Sequence, residues 1–295
     1  MGRMRILETY HPLALLCYFA AVVLTGMFVW HPLILLEALL GGLLLLSILE
    51  RGGAFFSDLG FYAALFLLVA ATNPLFSHNG VTPLFFLNGN PVTKEALLYG
   101  AAIGCMVVGV LLWCRCGGMV FTSDKLMYLF GRVLPRLSLV FAMVLRFVPL
   151  FRQKRRQVMQ AQKGMGLYSA ESRADRLRSV FRVYSALIGW ALEHAMETAG
   201  SMKARGYGLP GRTNFHLYFW TRRDVTLLAL TGVLLLPTLF GAASGALRYD
   251  FYPATDPLWE RSLVAYEAAF LLLALLPFFL EGKESLKWKY YESRI

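Results

Sequence analysis

The chain has 295 residues, of which 57% are hydrophobic and only 16% are charged, and its mean hydropathy is +0.54. Such values lie outside the usual range for a soluble domain and predict an all-α, polytopic membrane protein. The net charge of +11 indicates basic loops on one side of a membrane; nucleic-acid binding is disfavoured because no recognition signature occurs. Four cysteines make no disulfide framework, and Cys114 with Cys116 lacks further ligands for a metal site.

Six apolar runs are candidates to cross the roughly 30 Å hydrocarbon core. They cover about residues 12–30, 32–49, 59–72, 95–113, 225–240 and 263–280. The first follows Arg3 and Arg5 without a small-x-small cleavage site, which predicts a retained membrane helix. The third is short and is predicted to end at Asn73-Pro74. Asn88-Gly89 then predicts a hairpin turn, and Thr93 the N-cap of the fourth run.

The basic charge is concentrated between residues 115 and 223, which carry 19 of the 29 Lys and Arg but only 5 of the 18 Asp and Glu. We therefore predict three regions: a four-span membrane half at 1–114, a basic cytoplasmic region at 115–223, and a two-span membrane half with a basic tail at 224–295. Cytoplasmic termini satisfy the positive-inside rule, because the outer loops then hold only Lys94, Arg248 and Arg261 as basic residues. Asp224 is predicted to cap the fifth span.

Within the basic region, the sequence predicts two long helices. One begins around Pro149, continues to Lys163 and stops at Gly164-Met165-Gly166. The apolar patch at 137–150 before it is punctuated by arginines and is predicted to lie along the inner membrane surface as a helix of its own. The second long helix covers about residues 175–205, with an apolar stripe at 3.6-residue spacing and a slim, alanine-rich lower half.

The end of this second helix is the most informative stretch of the chain. Lys203 and Arg205 suit the negative end of the helix dipole, and Gly206 suits a left-handed terminating position. Two interpretations stay open on the residues alone. The stretch is either an ordinary basic helix end closed by glycine, or an exposed guanidinium that pairs with the carboxylate or carbonyls of a partner.

These residues carry a resemblance to a known family. The run Met202-Lys203-Ala204-Arg205-Gly206-Tyr207-Gly208, at the end of the second of two cytoplasmic helices, resembles the Ala-Arg-Gly signature of the T components of energy-coupling factor (ECF) transporters, the EcfT/CbiQ family. Asn73-Pro74-Leu75-Phe76 with Asn79-Gly80, and Leu145-Arg146-Phe147-Val148-Pro149-Leu150, are similar to the same family. The resemblance covers about residues 10 to 280.

The resemblance implies a scaffold in the plasma membrane of a prokaryote that couples ATP hydrolysis to import. Its implied partners are two cytoplasmic ATPase subunits, each receiving one coupling helix, and a small membrane S component that binds a vitamin or metal ion. Ala204, Arg205 and Gly206 match the signature that docks in a groove of the ATPase. The first signature falls at Gly164-Met165-Gly166, where methionine replaces the arginine and Lys163 is a candidate to supply the charge.

The chain has no G-x-x-x-x-G-K-[ST] phosphate loop, so we expect ATP to bind to the partner subunits and expect no cofactor or catalytic residue in this chain. A stand-alone permease is an alternative that would need paired polar residues in the spans. A membrane-embedded enzyme is another, for which His194 with Glu193 and Glu197 is the only local cluster. Glu37, inside the second run, is either a functional acid or one that reaches water. The transported substrate is not encoded here, because the S component selects it in the family.

Overall fold

The computed structural model describes residues 6–50, 53–77, 80–87, 90–167, 173–209, 218–253 and 263–292. A 3₁₀ turn, Ile6–Thr9, precedes the first α-helix. The helices are α1 (Pro12–Phe28), α2 (Pro32–Leu49), α3 (Gly53–Phe76), α4 (Lys94–Val120), α5 (Ser123–Val133), α6 (Pro135–Gly164), α7 (Arg173–Ala204), α8 (Arg222–Ala243) and α9 (Val264–Glu292), and the strands are β1 (Pro83–Leu87) and β2 (Asn90–Thr93). The chain divides into a membrane unit, residues 1–126 with 218–295, and a helix-pair unit, residues 127–217.

The membrane unit contains the apolar helices. Within the described residues, five helices are long and apolar enough to cross a membrane, namely α2, α3, α4, α8 and α9. Helix α1, with 17 residues, is a shorter apolar helix. These six helices correspond to the six predicted apolar runs, and the prediction of an all-α polytopic membrane protein is confirmed.

Helix α4 packs against α1, α2 and α3, while α9 packs against α2 and α8. The buried Trp113 of α4 donates its indole N–H to the Ala38 carbonyl of α2 over 2.8 Å. The Tyr18 hydroxyl of α1 donates to the Leu273 carbonyl of α9 over 2.9 Å. The hydrocarbon core of a membrane contains no water that could accept hydrogen bonds from these donors, so carbonyl groups of neighbouring helices accept them. Hydrogen bonds between helices therefore add to the apolar packing of this unit.

The prediction of a short third span that ends at Asn73-Pro74 is wrong. Helix α3 has 24 residues and continues through Pro74. The Asn73 amide donates to the Ala96 carbonyl of α4 over 2.8 Å, which holds the last turn of α3 against its neighbour. Pro74 cannot bond the Ala70 carbonyl, four residues earlier. That oxygen lies against Gly100 of α4, so close that a Cβ at position 100 would approach it to 2.4 Å. Packing on α4 therefore extends the helix through the proline.

The loop after α3 forms the predicted hairpin. Strands β1 and β2 pair antiparallel, with Leu87 opposite Asn90, while the predicted turn Asn88-Gly89 lies outside the described residues. Thr93 caps α4 as predicted, since its hydroxyl accepts from the Ala96 N–H over 3.3 Å. The hairpin thus leads directly into the next membrane helix.

The helix ends of the membrane unit gather in two groups. At one end, Trp30 after α1 stacks on Tyr99 in the first turns of α4, with ring centroids 5.8 Å apart. At the other end, the N–H of His11 before α1 donates to the Asp224 carboxylate near the start of α8 over 2.7 Å. This alternation agrees with the predicted order of the spans. Which end faces the cytoplasm remains a prediction from the charge distribution.

The helix-pair unit corrects a second prediction. Helix α6 begins at Pro135, not near Pro149, and its 30 residues include the apolar patch that was predicted as a separate helix. Proline inside a helix removes one hydrogen bond, here to the Leu145 carbonyl. Phe147, two residues before the proline, stacks on Trp190 of α7 with centroids 5.6 Å apart. Packing against α7 accounts for the continuity of α6 through Pro149.

Candidate functional site

The end of α7, residues 202–207, is called the second tip. Its backbone closes with two hydrogen bonds, from the Gly206 N–H to the Lys203 carbonyl and from the Tyr207 N–H to the Met202 carbonyl, each over 3.0 Å. Gly206 has φ +76°. This pattern is a Schellman motif, in which Gly206 is the left-handed residue and Arg205, immediately before it, is the C-cap. The predicted glycine stop is therefore present at the predicted residue.

The end of α6, residues 162–167, is called the first tip, and it has the same backbone motif. The Gly166 N–H donates to the Lys163 carbonyl over 3.1 Å, and the Leu167 N–H donates to the Gln162 carbonyl over 3.0 Å. Gly166 has φ +70°. Met165 is the C-cap residue. The two tips are thus equivalent in backbone conformation.

This equivalence gives a residue-by-residue register between the tips. Met165 occupies the position of Arg205, and Lys163 occupies the position of Lys203. Both tips therefore carry a lysine two residues before the C-cap, and they differ in charge at the C-cap itself. If Lys163 supplies the charge of the missing arginine, its side chain must reach the partner from a position two residues before the one that Arg205 occupies in the second tip.

The C-cap side chains of both tips are exposed. Met165 is 64% exposed, and Arg205 is also exposed. Two residues after each C-cap comes an exposed large side chain, Leu167 in the first tip and Tyr207 in the second. Neither C-cap side chain is needed to fill the core of this unit.

An aromatic cluster joins α6 to α7. Trp190 stacks on Phe147 of α6 and on His194 of its own helix, with centroid distances of 5.6 Å and 5.4 Å, and Phe147 and His194 also stack on each other at 6.3 Å. The Lys154 ammonium lies 5.6 Å from the centre of the Trp190 ring. Stacked rings and a cation over an indole stabilise a fixed contact between two helices. The cluster therefore makes α6 and α7 a packed pair.

His194 belongs to this packing and not to a cluster of ligands. Its Nδ1 is 3.9 Å from a Glu197 carboxylate oxygen on the same helix, a long ion-pair distance. Across the described part of the chain, no group of three or more His, Cys, Asp or Glu is arranged to hold a metal ion. The geometry gives His194 a packing role between the two helices.

The membrane unit contains a polar contact that the sequence analysis did not predict. Nδ1 of His31 lies 3.4 Å from Glu267 Oε1 of α9, and both atoms are buried without a hydrogen-bond partner. Burial lowers the pKa of His31, which favours the neutral imidazole. Glu37 is half-buried and has one carboxylate oxygen buried without a hydrogen bond.

Comparison with known proteins agrees with the resemblance. The sequence profile of a family described as "Cobalt transport protein", CbiQ, matches residues 5–217. Similar curated proteins, each named "Energy-coupling factor transporter transmembrane protein EcfT", include those of Bacillus selenitireducens, 32% identical over 115 residues; Lactobacillus helveticus, 30% over 106; and Lacticaseibacillus paracasei, 34% over 106.

These pairwise matches are partial. They cover 38%, 34% and 34% of this chain and 41%, 38% and 40% of the three relatives respectively, so the chain spans about two-fifths of the length of each. The family profile covers more than half of the chain, including α6, α7 and both tips. The chain therefore belongs to the CbiQ family of transport proteins, to which the EcfT resemblance pointed.

Proposed function

We propose that this chain is the transmembrane scaffold of an ECF importer. In this role it couples ATP hydrolysis by two cytoplasmic ATPase subunits to uptake through a separate small S component that binds a vitamin or metal ion. The observation that carries the proposal is the pair of equivalent tips, each at the end of a long helix of the helix-pair unit. The family match over residues 5–217 includes both of them.

The tips suit docking for a physical reason. A Schellman motif ends a helix within one turn and uses backbone groups alone, so the C-cap side chain is left for a partner. Arg205 offers a planar, permanently charged guanidinium that fits carboxylates or backbone carbonyls in a groove. Packing of α6 on α7 through Trp190 lets the two helices move as one body when a partner moves. These are the properties that a coupling element needs.

The two tips call for different grooves. Arg205 requires a groove with acidic groups or carbonyl oxygens, whereas Met165 is uncharged, flexible and polarisable and suits an apolar groove. Because the backbone conformation of the tips is the same, the C-cap side chains occupy equivalent positions, and it is there that the tips differ in charge. We therefore infer that the ATPase surfaces facing the two tips differ in chemistry.

The remaining assignments follow from this proposal. The basic region at 115–223, both tips and both chain termini are cytoplasmic, and the chain resides in the plasma membrane of a prokaryote. ATP is bound by the ATPase subunits. The transported substrate is determined by the S component.

The test is purification of the tagged chain in mild detergent together with its partners. Co-purification of two ATPase subunits and a small apolar protein, with ATP hydrolysis in the complex, supports the proposal. Recovery of the intact chain alone contradicts it and favours a stand-alone permease. The small protein's ligand then identifies the substrate class.

A further inference from the structure

The chain passes between its two units twice, at residues 126–127 and at residues 217–218. Any displacement of the helix-pair unit must reach the membrane unit through these connections or through surface contact. The membrane-unit residues that flank the two crossings are tied to each other by the N-terminal segment. We call these ties, made by Leu7, His11, Lys125, Asp224 and Glu281, the junction network.

The first crossing is held through the backbone of Leu7. The Lys125 ammonium, in α5 just before the crossing, donates to the Leu7 carbonyl over 3.2 Å. The N–H of the same Leu7 donates to the Glu281 carboxylate of α9 over 3.0 Å. Lys125 is 1% exposed and Glu281 is 8% exposed. Buried charges are costly to move away from their partners, so this attachment is strong and directional.

The second crossing is held through His11. The Asp224 carboxylate, 2% exposed, accepts from the His11 N–H over 2.7 Å with one oxygen. Its other oxygen accepts from the N–H and the hydroxyl of Thr221 over 2.8 Å and 2.6 Å. The His11 ring stacks on Trp220 with centroids 4.2 Å apart. The chain is therefore fixed within a few residues of its return to the membrane unit.

The two crossings also approach each other directly. The side chain of Tyr218, the first residue after the second crossing, lies near that of Thr122, four residues before the end of the first segment. Since Leu7 and His11 are four residues apart, one short segment binds both crossings. The two connections cannot separate without breaking buried hydrogen bonds to charged groups.

We propose that Lys125, Asp224 and Glu281 are positioning residues that hold the two chain crossings together, so that motion of the helix-pair unit is transmitted to the membrane helices. This inference rests on the proposed function. Loss of the network leaves the tips and their grooves unchanged. It therefore uncouples the units without releasing the ATPases.

The experiment uses the complex of the full chain with its ATPase subunits and measures amide hydrogen exchange with and without ATP plus vanadate. In the unaltered complex, the nucleotide is expected to change exchange in both units. In Lys125→Met, the nucleotide-induced change in exchange should persist in the helix-pair unit. In the membrane unit, the size of this change should fall at least about fivefold, because coupling between two sites typically corresponds to a factor of about five or more. Lys125→Arg should restore it. Lys94→Met, an exposed lysine in α4, is the matched control.

The outcomes separate this inference from the proposed function. Failure of the ATPases to co-purify with the unaltered chain would contradict the proposed function. Retention of the ATPases by Lys125→Met, with a full response in the membrane unit, would overturn the inference alone. If Lys125→Met does not fold, Glu281→Gln replaces it, because this change removes the charge that accepts from the Leu7 N–H and keeps the size of the side chain. The response of the membrane unit should then fall as in Lys125→Met, and a full response in a complex that retains its ATPases would overturn the inference.

Discussion

Reversing the charge of the second tip is the sharpest test of the docking site. In Arg205→Glu, the exposed guanidinium is replaced by a carboxylate at the C-cap of α7. Loss of hydrogen bonds made by a charged group costs about 1.5–3 kcal/mol, and repulsion from an acidic groove adds to this. We therefore expect ATPase affinity to fall by at least about 2 kcal/mol, or roughly 30-fold.

The same change should leave the chain folded. Substitutions of exposed side chains usually alter stability by no more than about 0.5 kcal/mol, and a carboxylate near the end of a helix dipole adds about 0.3–1 kcal/mol. Arg205→Gln removes the charge without this dipole repulsion and should still weaken docking. Arg176→Glu makes the same charge change at an exposed position near the other end of α7 and is the matched control.

The assay is retention of the ATPase subunits by the tagged chain across a dilution series, at two salt concentrations. Docking through Arg205 predicts a large loss for Arg205→Glu, a smaller loss for Arg205→Gln and near-normal retention for Arg176→Glu. Equal losses for the two charge reversals would show that general basic charge, not the tip, recruits the ATPases. Normal retention by Arg205→Glu would remove Arg205 from the mechanism.

Three further predictions concern the first tip, the helix stops and the packing of α3. Met165→Arg should keep the fold and weaken docking of the first tip if its groove is apolar; tighter ATPase retention would instead show an acidic groove there. Gly206→Ala and Gly166→Ala should each lower stability by about 1–2 kcal/mol, because alanine resists positive φ, and unchanged unfolding in detergent would refute the assigned motif. Gly100→Ala should lower stability by about 1–3 kcal/mol, because the new Cβ would clash with the Ala70 carbonyl. Gly118→Ala in the same helix is the control, since its Cβ would meet no atom within 4 Å, and equal melting temperatures of the two variants would contradict the close approach at Gly100.

The features that local chemistry controls could be predicted from the sequence. Gly166 and Gly206 each end a helix because the left-handed position that closes a Schellman motif favours glycine, and both stops are at the predicted residues. Thr93 caps α4 as predicted. Asp224 takes part in the cap of α8, as expected for that helix start, but it does so as the N3 residue of a capping box whose N-cap is Thr221. Each of these contacts spans no more than five residues of chain. A short window of sequence therefore contains all the groups involved.

The two wrong predictions share a cause. Asn73-Pro74 and Pro149 were both interpreted as helix boundaries, because proline removes a backbone donor and disfavours helix at the preceding residue. In the structure, α3 and α6 continue through these prolines. The compensating contacts come from other helices, through Ala96 in one case and Trp190 in the other. Local propensity underestimates such packing because the partner lies 23 or more residues away.

The junction network could not be predicted because its contacts join residues that are even farther apart in the sequence. Leu7 bonds Lys125, 118 residues away, and Glu281, 274 residues away. Neither charge occurs in a sequence pattern that marks it as buried, and a lysine just after a membrane span is usually assigned to the interface. Only the helix arrangement brings these residues together. The same holds for the His31 contact with Glu267, which joins α2 to α9.

The comparison of the two tips separates what the fold requires from what a partner requires. The motif at each tip is closed by backbone hydrogen bonds and a glycine, and the C-cap side chain contributes to neither. Met165 and Arg205 are both exposed, so exchanging one residue type for the other costs the helix end little. A difference in charge at such a position has little reason in stability. Under the proposed function, methionine at position 165 therefore indicates the chemistry of the groove that binds the first tip. That groove should lack the acidic groups that bind Arg205 in the other groove.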